Sequence, residues 1–448
     1  AGGLEGEVGL PGSPEYEGSP RPFNARYRDV LPEAIVSCAT PQDVAETVAF
    51  ARRHGFDLVA RNGGHSFAGR STGRGIVVDV SPMRSVSVSE GVATVGAGAR
   101  LGEVYPALQE HGLAIPAGTC PAVGVAGLTL GGGLGILGRR YGVTSDRLVG
   151  AELVLADGRI LACDEHHDAD LFWALRGAGA AFGIVTSLIF RPVPAPEATT
   201  NVHLEWPVSR AADVIAAWQM WAPDAPDELA ASLKVTAGGG EGYSLDVYAA
   251  CTGDESAAEP LLTDLVDRVG VAPIASSREV LSFPETRRFW ANLGQAERAA
   301  PDDPIVEPVC LFAKSEFFRR PLPVEAVEGL LETFESESAS GPARELDFMP
   351  WGGAYNRVPR EATAFVHREG RFQLKHAVVL DPDASPGEQE AASRQVARSW
   401  ASVHRWGSGR AFQNFADPDL DRWSPAYHGR NLDRLLELKA RYDPENVF

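Results

Sequence analysis

Between Pro116 and Gly138 the chain reads PAGTCPAVGVAGLTLGGGLGILG, with eight glycines in 23 residues. A buried strand does not tolerate glycine at that density, because each one removes a side chain that the sheet would pack with. A helix would lose roughly 1 kcal/mol at every glycine. The segment therefore reads as loop backbone that runs close to another group, where only residues lacking a Cβ fit. Its last part holds Gly133-x-Gly135-x-x-Gly138, the letters of a dinucleotide fingerprint, and Asp157 stands near where a ribose-binding acid would be sought. Two features oppose a nicotinamide site. Such a fingerprint follows an apolar strand, whereas PAVGVAGLTL carries its own glycines at 124 and 127. Asp157 is followed by Gly158 between two alternating runs in AELVLADGRILACD, which reads as a hairpin with a type I′ turn.

A second glycine loop lies some fifty residues earlier, at Arg61–Gly69, RNGGHSFAG. Consecutive glycines let backbone N–H groups converge on an anion, and a diphosphate is the natural guest. His65 sits inside this loop, where it is either a functional group or a locally hydrogen-bonded surface histidine. Cys120 lies between Thr119 and Pro121, in a loop and not on an apolar stripe. A thiol near backbone amides is a potential nucleophile.

Composition narrows the function classes. A net charge of -19 and a pI near 5.0 argue against nucleic acid as a partner. No apolar run is long enough to span a membrane, and no apolar signal segment opens the sequence, so the cytoplasm is the default location. Five scattered cysteines without a C-x-x-C form neither a disulfide framework nor a zinc site, and no metal is expected. Only four lysines occur, with arginine in their place.

The periodicity predicts an α+β protein. Residues 1–20, rich in Gly, Pro and Glu, read as loosely ordered. A strand at Ala34 precedes a helix capped by Thr40-Pro41 and ended by Gly55, with Val44, Val48 and Ala51 on one face. Short β-branched strands follow at GIVVDVS, SVSVSE and VATVGAG. RPVPAPEATT (191–200) marks a boundary, placing one domain at 21–195. From 196 to 404, strands at 201–206, ASLKVTAG, YSLDVYAACTG, PVCLFAKSEFF, ARELDFMPW, ATAFVHR and RFQLKHAVVL alternate with helices near AADVIAAWQMWA, EPLLTDLVDRV and VEAVEGLLETFE. The expected form is an antiparallel sheet covered by helices. Residues 405–448 end in a helix stopped by Asp-Pro.

Several stretches together resemble one family: RNGGHSFAG, PAGTCPAVGVAG, GGGLGILGRRYGVTSD, LVLADGRIL, LFWALRGAGAAFGIVT and the terminal ARYDPENVF. They are similar, in order and spacing over nearly the whole chain, to the berberine-bridge-enzyme-like FAD-linked oxidases of the vanillyl-alcohol-oxidase superfamily. The resemblance implies a PCMH-type FAD-binding domain built from both ends of the chain, with residues 405–448 returning to it. It also implies FAD held by two covalent bonds, His65 to the flavin 8α-methyl and Cys120 to flavin C6. Imidazole and thiolate are suitable nucleophiles for an electrophilic ring.

Further cofactor contacts carry over by position. Arg61, Asn62, Gly63, Gly64, Ser66 and Gly69 would embrace the diphosphate. Gly118, Thr119, Val123, Gly124 and Gly127 would pass along the ring and ribityl chain, and Gly131, Gly132, Gly135, Tyr141 and Gly142 would continue the cradle. Ile184 and Val185 match the adenine-side strand, while Asn414, Tyr427 and Asn431 match the returning C-terminal segment. Val123, three residues after the cysteine, is the small option that the family associates with oxygen access, which implies an oxidase releasing hydrogen peroxide.

Catalytic groups follow less directly. Tyr105 resembles a tyrosine that supports the base. Alternation in RFQLKHAV places Gln373 and Lys375 on one face of the substrate-domain strand, where Lys375 is either a steering cation, a base or a solvated sheet residue. Relatives often read Tyr-x-Asn where this chain has Phe412-Gln413-Asn414, and a second tyrosine where it has His428. Phe412 cannot take a proton, which leaves Tyr427, Tyr355 and Lys375 as substitutes. The reaction expected is hydride removal from a C–H next to O or N of a small organic, secondary-metabolite-like substrate, with O2 as the second partner. Two other readings stand beside it. One is an oligosaccharide oxidase forming a lactone, with tryptophans such as Trp221, Trp290 and Trp351 as sugar platforms or core residues. The other is a flavin-binding protein without turnover.

Overall fold

The helix Pro41–His54 starts and stops where the sequence places it. Thr40 caps it reciprocally with Asp43, Pro41 opens it, and Gly55 closes it at φ 73°. Its buried stripe of Val44, Val48 and Ala51 packs on a four-stranded sheet and joins a core that includes Val78, Val95, Leu153 and Leu188. This computed structural model describes residues 3–238, 242–253, 255–293, 307–336 and 341–448.

The four-stranded sheet has the order Glu7–Gly9, Ala34–Ser37, Ile76–Asp79, Leu58–Arg61, and its last three strands run parallel. The first strand corrects the reading of 1–20 as loosely ordered. Glu7–Gly9 pairs antiparallel with Ile35–Ser37. The Asp43 carboxylate accepts from the amides of Glu5 (2.8 Å) and Gly6 (3.1 Å), so a helix-cap residue also anchors the chain start. A five-stranded antiparallel sheet follows, with the order Val86–Ser89, Val92–Gly96, Ile184–Phe190, Leu148–Val154, Ile160–Asp164. The hairpin at Asp157-Gly158 forms, but its turn is not type I′. Among the turn residues only Gly158 is left-handed (φ 85°), and its amide donates to the Leu155 carbonyl. That is the glycine-bulge form of a three-residue loop.

A seven-stranded antiparallel sheet occupies the middle of the chain. Its order is Ala275–Ser282, Ala198–Glu205, Tyr243–Cys251, Leu229–Ala237, Ala343–Pro350, Phe372–Leu380, Cys310–Phe318. One face is apolar: Leu233, Val235, Leu245, Val247, Leu346, Phe348, Phe372 and Leu374 share a core with Trp218, Leu265 and Leu330 of the helices Ala211–Trp221, Glu255–Val269 and Val324–Glu335. The other face carries Ser232, Lys234, Asp246, Asp347, Gln373 and Lys375, and the register sets Lys234 opposite Asp347 and Asp347 opposite Lys375.

Besides the strand Glu7–Gly9 and the short helix Val125–Leu130, which stands where loop backbone is expected, four elements of residues 196–404 differ from the sequence reading. Ala275–Ser282, the helix Phe283–Ala291 and the 19-residue helix Pro386–His404 were not anticipated. ATAFVHR, expected as a strand, is irregular. Its Ala364 and Phe365 amides donate to the carbonyls of Trp173 and Arg176, and the following Arg368 pairs with Asp146 at 2.6 Å. Those contacts take its backbone groups away from any sheet. The final helix Leu432–Tyr442 buries Leu435 and Leu438 in the same core as Val44 and Val48, so both ends of the chain build one hydrophobic unit.

Candidate active site

The two glycine loops meet backbone to backbone. A Cβ at Gly63 would stand 2.6 Å from the Ala122 carbonyl oxygen, and one at Gly124 would stand 2.5 Å from the Asn62 side chain. The glycine run after them is just as crowded: a Cβ at Gly135 would lie 1.9 Å from the Ala117 oxygen, and one at Gly131 would lie 2.4 Å from Asn414. Gly127 is the exception. It is exposed, and a Cβ there would meet nothing within 4 Å.

The space it faces is a cavity of about 490 Å³ between the glycine loops, the strand starting at Ile184 and the polar face of the seven-stranded sheet. Arg61, Asn62, Gly63, Gly64, His65, Ser66, Gly118, Thr119, Cys120, Val123, Gly124, Gly127, Gly131, Gly135, Ile184, Val185, Lys375, Asn414 and Tyr427 all line it. Seven expected residues do not: Gly69, Gly132, Tyr141, Gly142, Asn431, Tyr105 and Gln373. Gly69 (φ 69°) is required by the Tyr27 ring, 2.4 Å from where its Cβ would be, and Gly132 (φ 115°) faces Phe365. Gly142 (φ 89°) abuts Asp146, while Tyr141 packs on the first core. Asn431 is buried and donates to the Ala364 carbonyl at 3.1 Å, holding the 363–368 segment.

Asn414 fastens the C-terminal segment to the glycine wall. It accepts from the Gly133 amide (3.0 Å) and donates to the carbonyls of Gly127 and Leu128 (both 3.2 Å). Arg61 is committed elsewhere: its Nε and Nη2 donate to Asp79 at 3.0 and 2.9 Å, both residues buried, so the guanidinium serves the fold. Tyr105 lies behind the wall, fully buried. Its hydroxyl donates to the Ala117 carbonyl at 2.8 Å, with Gly118 at 3.1 Å, and burial raises its pKa. It fixes the backbone that carries Thr119 and Cys120.

The His65 imidazole stacks on Phe23 (4.3 Å, 11°). Burial, aided by Arg100, pushes its pKa down to about 4, so the ring is neutral at pH 7 and keeps a lone pair. Cys120 is a buried thiol in the same wall. Among the described residues, the amides of Gly63, Gly64, His65 and Ser66 donate to no protein acceptor. Four consecutive unpaired N–H groups in a glycine loop suit a diphosphate, and the missing side chain at Gly127 leaves room for a flat ring. The residues present fit FAD.

Beside Lys375, which the sequence reading places on this face, the sheet side of the cavity holds charges that it missed, Lys234 and Asp347 backed by Glu345. Lys234 Nζ lies 3.0 Å from Asp347 and 3.5 Å from Glu345, while Lys375 Nζ lies 2.7 Å from Glu345 and 3.6 Å from Asp347. The quartet is buried and neutral as a whole. Burial alone would depress the Lys234 pKa, but Asp347 and Glu345 raise it further than burial lowers it. A signal for this cluster existed: Lys234 and Lys375, two of only four lysines, both fall inside strands of one sheet. Gln373, on the Lys375 face, is fully buried, and neither amide atom has a hydrogen-bond partner among the described residues.

Phe412, read from the sequence as a departure that cannot take a proton, lines the cavity, its amide donating to Ser315 Oγ at 3.0 Å. Tyr355 also reaches the wall, but its hydroxyl donates to the Gly135 carbonyl at 3.1 Å. The Tyr427 hydroxyl accepts from the Asp417 amide at 2.8 Å, and burial raises its pKa. His428 is held neutral, with burial and Arg70 lowering its pKa to about 4.

The cavity and mixed fold fit an FAD-binding protein, and the comparisons show the class, an FAD-dependent oxidoreductase. A family model described as FAD binding domain matches residues 32–164, and one described as Berberine and berberine like matches 411–448. Berberine bridge enzyme-like 6 of Arabidopsis thaliana is 31% identical over 452 residues, 93% of this chain and 79% of its own. The structure of Physcomitrella patens BBE-like 1 aligns with a TM-score of 0.89 at 27% identity, covering 99% of this chain and 96% of that one. Glucooligosaccharide oxidase from Acremonium strictum, described with a 6-S-cysteinyl, 8α-N1-histidyl FAD, aligns with a TM-score of 0.89 at 26% identity, covering 99% and 95%. The chain belongs to the berberine bridge enzyme-like FAD-linked oxidases, with the α+β, PCMH-type architecture that the resemblance implied.

Proposed function

We propose that this oxidase carries FAD bonded through both His65 and Cys120 and oxidises a small organic substrate at a C–H next to oxygen or nitrogen, with O2 taking the electrons to give H2O2. The observation that carries the reading is that His65 and Cys120, from two loops packed glycine on glycine, line one cavity. FAD, when bound, supplies the electrophilic ring for both attachments and accepts the substrate hydride.

The chain's own residues do the rest. The neutral imidazole of His65 offers its lone pair without first losing a proton. Tyr105 is a positioning residue, holding the 115–118 backbone so that Cys120 stays in the wall. Lys375 orients the polar end of the substrate, and Gln373, beside it on the strand, supports that face. Asp347 is the carboxylate of the wall: its Oδ2 is taken by Lys234, while Oδ1 has no partner among the described residues. That oxygen is buried beneath the wall, so Asp347 acts through the lysines, holding Lys234 and Lys375 at the cavity. Tyr427 closes the C-terminal side. The small Val123 leaves access for oxygen.

A second reading, oxidation of an oligosaccharide to a lactone, is favoured by Trp290 and Trp423 in the cavity lining, since indole faces suit sugars. Anaerobic flavin reduction by a panel of alcohols, amines and oligosaccharides, followed by peroxide release on adding air, tests both. Reduction by alcohols or amines but not by sugars supports the first reading and the reverse supports the second. No reduction by any member of the panel favours a flavin-binding protein without turnover.

A further inference from the structure

We propose that the surface pocket formed by Arg319, Arg360, Arg410 and Arg430 is a binding site for a small divalent oxyanion of the phosphate type, separate from the flavin cavity. The two sites share no lining residue. The four arginines come from four separate places: the end of strand Cys310–Phe318, the 358–371 loop, the turn after helix Pro386–His404, and the turn Gly429–Asn431. The chain converges them although its net charge is -19. Like charges repel, so such a gathering calls for a counterion.

The protein supplies too little of one. Within the pocket Glu369 is the lone carboxylate among the described lining residues. It is shared between Arg319 (3.1 Å) and Arg360. From outside the pocket Glu361 reaches Arg430 only at 3.7 Å, and Glu316 faces Arg410 but is engaged by His404 and by the Gly409 and Arg410 amides. Arg368, also in the lining, is already neutralised by Asp146. The Arg410 guanidinium donates to the Pro425 carbonyl, which orients it without cancelling its charge. Burial first, and then the neighbouring arginines, lowers the pKa of both Arg360 and Arg410, while Glu361 and Glu316 offset part of this.

The dimensions suit the guest. The pocket holds about 40 Å³. With roughly 10–15 Å³ per water-sized sphere, this is room for about three oxygens. Guanidinium groups present paired N–H donors that match a tetrahedral oxyanion bidentately. A monovalent carboxylate would satisfy only one of them and would bring half the charge.

Calorimetric titration of the flavin-loaded protein at low ionic strength with inorganic phosphate, a phosphate monoester and acetate tests this. The expected result is saturable 1:1 phosphate binding, at least about tenfold tighter than acetate, as two-site charge-assisted bonding implies. The Arg319→Gln/Arg360→Gln variant should lose at least about tenfold in affinity. Glu369→Gln, which removes the internal competitor, should gain several-fold. Because these changes have opposite signs, a general loss of structure cannot mimic them. The monoester arm distinguishes sources: a tighter monoester makes the guest a phosphorylated metabolite and equal affinity makes it free phosphate, either supporting the site. Phosphate binding unchanged by the double arginine variant, no saturation, or weaker binding in Glu369→Gln overturns it.

Discussion

Gly127 separates the needs of the fold from the needs of the cofactor. It lies inside the helix Val125–Leu130, its φ is outside the left-handed region, and a Cβ there would touch nothing within 4 Å. Nothing in the protein therefore requires glycine at this position. Gly127→Leu should stabilise the flavin-free protein by about 0.7 kcal/mol through helix propensity alone. For a chain of this size that is a rise in Tm of about 1 °C. The same side chain projects into the cavity and occupies the space of the ring, so flavin content should fall at least about tenfold, as loss of one well-placed contact surface implies. The assay is the ratio of visible to ultraviolet absorbance after purification, with Tm measured in a His65→Ala/Cys120→Ala background from which flavin can be dialysed. Gly135→Ala is the control. Its Cβ would lie 1.9 Å from the Ala117 oxygen, inside backbone that cannot yield, so it should destabilise by several kcal/mol whatever the flavin content. Normal flavin loading in Gly127→Leu, or a fall of several degrees in its flavin-free Tm, would refute the reasoning.

Other outcomes follow from the same geometry. Asn414→Leu removes three hydrogen bonds that fix the C-terminal segment, and should cost about 3 kcal/mol in chemical denaturation at roughly 1 kcal/mol each. His367 and His376 are buried, and burial pushes both down to about 3 from 6.5. Between those values the unfolded chain binds the extra protons, so stability is whole above pH 6.5 and is lost as pH falls toward 3. Equilibrium denaturation at stepped pH should show that slope, and His376→Gln should flatten it. Val123→Leu should slow reoxidation by O2 while leaving anaerobic flavin reduction unchanged, as read by stopped-flow absorbance.

The sequence made the cofactor wall readable because glycine spacing reports backbone approach directly: Gly63, Gly124, Gly131 and Gly135 are all positions where a Cβ would collide. Side-chain assignments fared less evenly, since they depend on partners far along the chain. A basic residue beside a glycine loop reads as a phosphate ligand, yet Asp79 on the parallel neighbouring strand claims Arg61. The Lys234–Asp347 pair spans 113 residues and becomes apparent only when strand register is known. The helix Pro386–His404 was legible in principle, as Ser385, Pro386 and Glu388 form a capping box with proline at the first position. ATAFVHR alternates like a strand, but Gly177 (φ 118°) packs against Phe365 and the neighbouring carbonyls claim its amides.

The central claim is the double attachment of FAD, and the absorbance of acid-precipitated protein tests it most directly. Wild type should keep all its yellow colour in the pellet. His65→Ala and Cys120→Ala should each keep it through the remaining bond, with different spectra, and the double variant should release it all. Release of flavin from the wild-type pellet, or retention in the double variant, would contradict the account.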